Sequence, residues 1–225
     1  MITPLTKRCA LLSLCVFAIV SSASPLKAHP HVFIESKTTI IINKNHEITG
    51  FRQSWIFDKQ YTAFALVGMD VDKDGKYSQK ELEPLAKENI ESLHEYDFFT
   101  FASQKGKDLA LNKPSEPKLT YKNDELKLNF TLKLKKPVKI AGQPVKLAIY
   151  DPEFFIAFLE PKNQKPMQLA SGTPANCMFE KHRASMDQTS LVESRLGAPM
   201  DLTNEENKGA GALFAPSFQI SCLAN

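Results

Sequence analysis

Residues 125 to 135, ELKLNFTLKLK, alternate without a break. Leu126, Leu128, Phe130, Leu132 and Leu134 fall on one side of an extended chain, and Lys127, Asn129, Thr131, Lys133 and Lys135 on the other. Period two with one apolar and one polar face specifies a strand of an antiparallel sheet, half buried and half solvated. The lysines are read as the solvated face. Similar texture recurs at residues 32–43 and 47–57, rich in β-branched and aromatic residues around the turn Asn43-Lys44-Asn45-His46, which predicts a hairpin. EYDFFTFASQ (95–104), PVKLAIYD (144–151), FFIAFLE (154–160) and a last segment near Ser217 to Leu223 continue the pattern.

Two segments break it. Asp58 is placed to cap a helix through KQYTAFALVGM, and Leu82, Leu85, Ala86, Ile90 and Leu93 recur at helical spacing over 79–95. Pro84 falls in the second turn and predicts a bend. The expected fold is α+β and mainly β: an antiparallel β-sandwich with a helix–loop–helix inserted at about 58–95. Residues 183–213 have weak periodicity and read as a partly helical or flexible excursion.

The first 28 residues read as a secretory signal peptide. Lys7 and Arg8 precede a run of about 13 apolar or small residues, Cys9 to Ser21, too short to span a bilayer. Cleavage fits after Ala23 or after Ala28. A lipoprotein reading fails, because Leu14 is not small and Cys15 lies inside the apolar run. The expected product is one periplasmic domain, 29–225, with no membrane anchor of its own.

Export changes the arithmetic of charge. The chain has 28 basic and 25 acidic residues, and loss of Lys7, Arg8 and Lys27 leaves 25 of each. The basic total therefore carries no nucleic-acid reading. Of four cysteines, Cys177 and Cys222 remain after export. An even pair in an oxidising compartment, with no CxxC spacing, reads as a disulfide.

The helix–loop–helix holds the chemistry. DVDKDGKYSQKE, residues 70–81, matches the twelve-residue EF-hand pattern: Asp70, Asp72 and Asp74 at positions one, three and five, Gly75 at six, Glu81 at twelve. Alternate carboxylates of a tight loop face one concave side, where a hard cation finds its oxygens. Lys76 offers its backbone carbonyl, Ser78 can hold a water, and Glu81 can close the site with two oxygens. A competing reading takes Ser78 and Glu81 as a helix capping box, but that accounts for only two of the matched residues. Ca2+ is the expected ion, in a structural role.

HPHVFI behind a signal peptide, DxDxDG with its Glu, EYDFFT and YDPEFFIAF together resemble the periplasmic domain-of-unknown-function family numbered 1007. The resemblance covers roughly 29–179 and the final cysteine strand. Members are often described as the periplasmic component of an uncharacterised ABC-type transport system and tend to accompany nickel/cobalt-type permeases. The resemblance thus implies metal handling beside a membrane metal permease or ABC-type transporter.

His29 and His31 are two apart, so both face one way on an extended strand. Cleavage after Ala28 would add the α-amine of His29 and make a nitrogen-rich site for Cu2+, Ni2+ or Zn2+. A site built on deprotonated backbone amides is blocked, since Pro30 has no amide proton. Asp151 is a candidate oxygen ligand, and equally a turn former before Pro152. His46, His94 and His182 are weaker candidates. The leading expectation is a non-enzymatic periplasmic metal-binding accessory of a nickel, cobalt, zinc or copper transport system, with a structural calcium loop. The alternatives are a copper enzyme using an N-terminal amine–imidazole site and a purely structural β-sandwich with one calcium site.

Overall fold

The computed structural model describes residues 30–114, 117–184 and 209–223; the expected signal peptide (1–28), with Cys9 and Cys15, and also His29 and most of 183–213 lie outside them. In chain order the elements are β1 (Val32–Ile42), β2 (Glu47–Phe57), α1 (Lys59–Ala65), α2 (Gln79–Leu93), a 3₁₀ segment (His94–Phe99), β3 (Thr100–Gln104) and β4 (Lys107–Asp108). There follow β5 (Lys118–Lys122), β6 (Glu125–Lys139), β7 (Val145–Ile149), β8 (Ile156–Leu159), β9 (Met167–Leu169), β10 (Cys177–His182), α3 (Ala210–Phe214) and β11 (Ser217–Cys222).

Two sheets result. The first runs β5-β6-β2-β1-β8, with β9 also on β1; the second runs β10-β11-β7-β3-β4. The expected hairpin β1–β2 is present, antiparallel, and β6 pairs antiparallel with both β2 and β5. A wholly antiparallel arrangement does not hold. β8 pairs β1 in parallel from Val32 to Glu35, and β9 does so from Thr38 to Ile40. The chain reaches this edge from β7 of the other sheet, so no tight hairpin fixes its direction.

One face of the first sheet is buried along its length. Ile34, Ile40, Phe51, Trp55 and the even residues Leu126 to Leu134 of β6 point into it. At one end α2 lays Leu82, Ala86 and Ile90 against Leu119, Leu126 and Leu128. At the other, Ile40, Ile48, Phe51 and Leu134 meet Val145, Leu147, Phe218 and Ile220 of the second sheet. Between the two apolar clusters runs a buried polar seam. Thr38 Oγ1 donates to Gln53 Oε1 (2.7 Å) and Gln53 Nε2 to Thr100 Oγ1 (3.1 Å), so these groups are satisfied where they are buried.

Two backbone details hold the layers in register. Pairing of β2 with β6 shifts between Ile48 and Gly50, and a Cβ on Gly50 would strike the carbonyl of Leu132. Glycine is therefore required where the two backbones approach. Pro84 does not break α2, which is continuous from Gln79 to Leu93. Cys177 and Cys222 are directly opposed on β10 and β11 and are disulfide-bonded.

Candidate metal centre

Asp58 caps α1 as expected: its Oδ1 accepts from the Tyr61 amide at 2.9 Å. Its other oxygen accepts from Phe33 N at 2.8 Å, tying the helical insert to β1. α1 has seven residues and stops at Ala65, four residues short of Met69, so it does not run directly into the acidic loop. The loop is anchored at both ends. Leu66 and Met69 pack in the apolar cluster beneath α2, and the Tyr77 ring stands edge-on to Tyr121 of β5, centroids 5.0 Å apart.

Within the loop the three aspartates converge. One carboxylate oxygen from each of Asp70, Asp72 and Asp74 lies within 4.8 Å of the others. Backbone amides hold them there. Asp74 N donates to Asp70 Oδ1 and Asp72 Oδ1, each at 3.1 Å, and Gly75 N to Asp70 Oδ2 at 3.1 Å. Gly75 has φ +78°, the left-handed turn that its position in the twelve-residue pattern asks for.

Glu81 is turned toward the loop and does two things at once. Its Oε1 accepts from Val71 N at 2.8 Å, while Oε2 accepts from Ser78 N (2.8 Å) and Ser78 Oγ (2.7 Å). With Ser78 Oγ accepting from Glu81 N, this is a complete capping box on α2. The carboxylate thus clamps the second residue of the loop to the ninth. The Ser78 hydroxyl and amide, then the Val71 amide, hold its carboxyl down to about 2. A depressed carboxyl keeps its charged, clamping form above the ordinary carboxylate range and loses it only as pH falls through about 2. The Glu81 carboxylate is not one of the three that converge; in the same loop Lys76 N donates to Asp74 Oδ1 at 2.8 Å, and the Ser78 hydroxyl is engaged with Glu81.

The histidine candidates lie elsewhere. His29 is outside the described residues. His31 is exposed at the foot of β1; its amide donates to Phe155 O at 2.8 Å, and its ring packs on Phe155 with centroids 4.8 Å apart. Asp151 is 3% exposed, and both its oxygens accept backbone amides, from Glu153 and from Ile156, each at 2.9 Å. It shapes the turn that delivers Phe155 to His31. His46, in the β1–β2 turn, bonds Asn176 Oδ1 through Nε2 at 2.9 Å, next to the disulfide.

Sequence reading treated EYDFFT as the start of a strand and missed its shape. Asp97, Phe98 and Phe99 are three successive residues with φ of 50°, 53° and 48°. Left-handed backbone disfavours residues with a Cβ, at about 1–2 kcal/mol each. Burial offsets the strain: Phe98 and Phe99 are each 3% exposed, and Phe99 packs on Phe158. Its carbonyl accepts from Tyr150 N at 3.1 Å. The segments PHVF (30–33), EYDFFT and YDPEFF, far apart in the chain, therefore meet at one end of the sheets. Nothing local in the sequence announces this, because the contacts join residues more than fifty positions apart.

A family described as "Protein of unknown function (DUF1007)" matches residues 14–222, and the chain belongs to that family. An uncharacterized protein of Haemophilus influenzae is 25% identical over 195 residues, covering 87% of this chain and 91% of the relative.

Proposed function

We propose that this chain is an exported, non-enzymatic accessory of a metal transport system that binds a divalent cation, calcium first, in the 70–81 loop. The observation that carries the reading is the convergence of Asp70, Asp72 and Asp74 oxygens within 4.8 Å. Three carboxylates in a loop of this spacing supply hard oxygen donors, with the Lys76 carbonyl and a water on Ser78 completing the shell. Glu81 then contributes by swinging from its clamp on Val71 or by sharing it. The ion's role is to brace the helix–loop–helix against β5.

Calcium at about 5 mM is expected to raise the melting temperature by roughly 3–6 °C, as for a site in the extracellular affinity range. Asp70→Asn and Glu81→Gln should each remove most of that shift. Indifference of the wild type to calcium would sink the reading, and so would an unchanged response in Asp70→Asn.

Transition-metal handling rests on His31, with His29 if export cleaves after Ala28. Titration calorimetry with Zn2+, Ni2+ and Cu2+, on protein whose N-terminus has been sequenced, is its test. His31→Ala should weaken binding about tenfold or more and leave the calcium response intact. A second reading, a structural β module with one calcium site, is favoured by Asp151, whose two oxygens already serve backbone amides. Equal transition-metal affinities for wild type and His31→Ala would favour it.

A further inference from the structure

The face of the first sheet opposite its core is a separate surface, and its composition is uneven. Register places Lys37, Ser54, Asn129 and Lys118 in one row across β1, β2, β6 and β5. The neighbouring rows carry Arg52 with Thr131, and Glu35 and Ile56 with Lys127; Lys133 follows on β6. Rows lie about 7 Å apart and strands about 4.8 Å apart. Short hydroxyl and amide side chains therefore form a floor ringed by five cations. Among the described residues the ion pairs within 4 Å are Lys87–Glu83, Lys113–Glu91 and Lys181–Glu160, so none of the five is in direct contact with a described carboxylate. The loop 161–164 overhangs a groove of about 310 Å3 here and brings in Lys162; two acids, Glu35 and Glu125, line it beside Lys37 and Lys127. The acidic 70–81 loop belongs to the insert that packs on the opposite, buried face.

The same face ends in aromatic rings. Phe33, two residues before Glu35 on β1, is 42% exposed, and Phe155, against His31, is 45% exposed. A soluble polyanion needs the cations but gains nothing from exposed phenylalanines. A lipid surface uses both, the cations on phosphate head groups and the rings at the acyl boundary. We propose that this face docks the protein on an anionic lipid membrane, with Arg52, Lys37, Lys118, Lys127 and Lys133 on the head groups and Phe33 and Phe155 at the margin.

The test is co-sedimentation of the exported protein, its intact mass confirming loss of the leader. Vesicles contain phosphatidylcholine with or without about 30% phosphatidylglycerol, at about 0.1 M salt, where surface charges still act over about 10 Å. Binding is expected to the anionic vesicles alone and to fade at high salt. Each neutralised charge should cost roughly fivefold in partitioning. The variant R52Q/K118Q/K127Q/K133Q should therefore lose binding by about a hundredfold or more, with unfolding unchanged by circular dichroism. A control with equal charge loss, K80Q/K87Q/K105Q/K107Q, should retain most of it. The proposal is overturned by no binding of the wild type, by equal binding to uncharged vesicles, by equal losses in the two variants, or by binding of inorganic tripolyphosphate without binding of vesicles.

Discussion

Loss of the Cys177–Cys222 bond is expected to lower the free energy of unfolding by about 3–4 kcal/mol. The bond spans 45 residues, and closing a loop of that length in the unfolded chain accounts for a stabilisation of this size. Domains are held by only about 5–15 kcal/mol in all, so the loss is a large fraction of the total. The bond also has a local task. β10 is the edge of the second sheet, and Cys222 further bridges Ala141. Removing it should fray β10 first. Cys177→Ala/Cys222→Ala, unfolded in urea beside the oxidised protein, should show the lower midpoint. Thiol counting on unfolded, unreduced protein taken after export, its intact mass confirming loss of Cys9 and Cys15, should find none. Two reactive thiols, or equal midpoints, would show that the cysteines are not a staple.

What the sequence made legible follows the range of the interactions concerned. β6 could be read because alternation is a property of neighbours: each buried leucine announces its face two residues at a time. α2 could be read for the same reason, its cap and its apolar spacing lying within a few turns. The convergence of Asp70, Asp72 and Asp74 was legible because their spacing is local, and Glu81 is a clamp and a cap in the same conformation. The cysteine pair needed only counting. The parallel attachment of β8 and β9 to β1 was not legible, since both kinds of edge present the same alternating residues. Nor were the left-handed turns at Asp97 to Phe99. Their shape is imposed by Phe98 and Phe99 reaching rings on other strands, against what the local backbone prefers. Asp151 was ambiguous in sequence between ligand and turn former. The structure shows it serving the turn, through amides three-dimensionally close and invisible to spacing.

Trp55 is where these distant segments depend on one side chain, and Trp55→Ala is expected to destabilise the protein by about 3–5 kcal/mol. The ring is 1% exposed on β2, edge-on to Phe130 of β6 at 4.8 Å and to Phe158 of β8 at 5.1 Å, with Phe99 at 6.4 Å. Truncation opens a cavity under both EYDFFT and the strand that follows YDPEFF. The compensation that holds Phe99 in its left-handed conformation weakens with it. Trp55→Phe should be much milder, for a reason beyond volume. The indole Nε1 is buried without a hydrogen-bond partner among the described residues, and a buried unmet donor costs about 1–3 kcal/mol. Phenylalanine discards that donor while keeping an aromatic ring against Phe130. Trp55 is the chain's single tryptophan, so fluorescence is lost in both variants and unfolding must be followed by far-ultraviolet circular dichroism. A Trp55→Ala loss below about 1 kcal/mol would mean that Phe99 and Phe158 close the gap unaided. A Trp55→Phe loss as large as that of Trp55→Ala would mean that the indole N–H is bonded after all, through an ordered water.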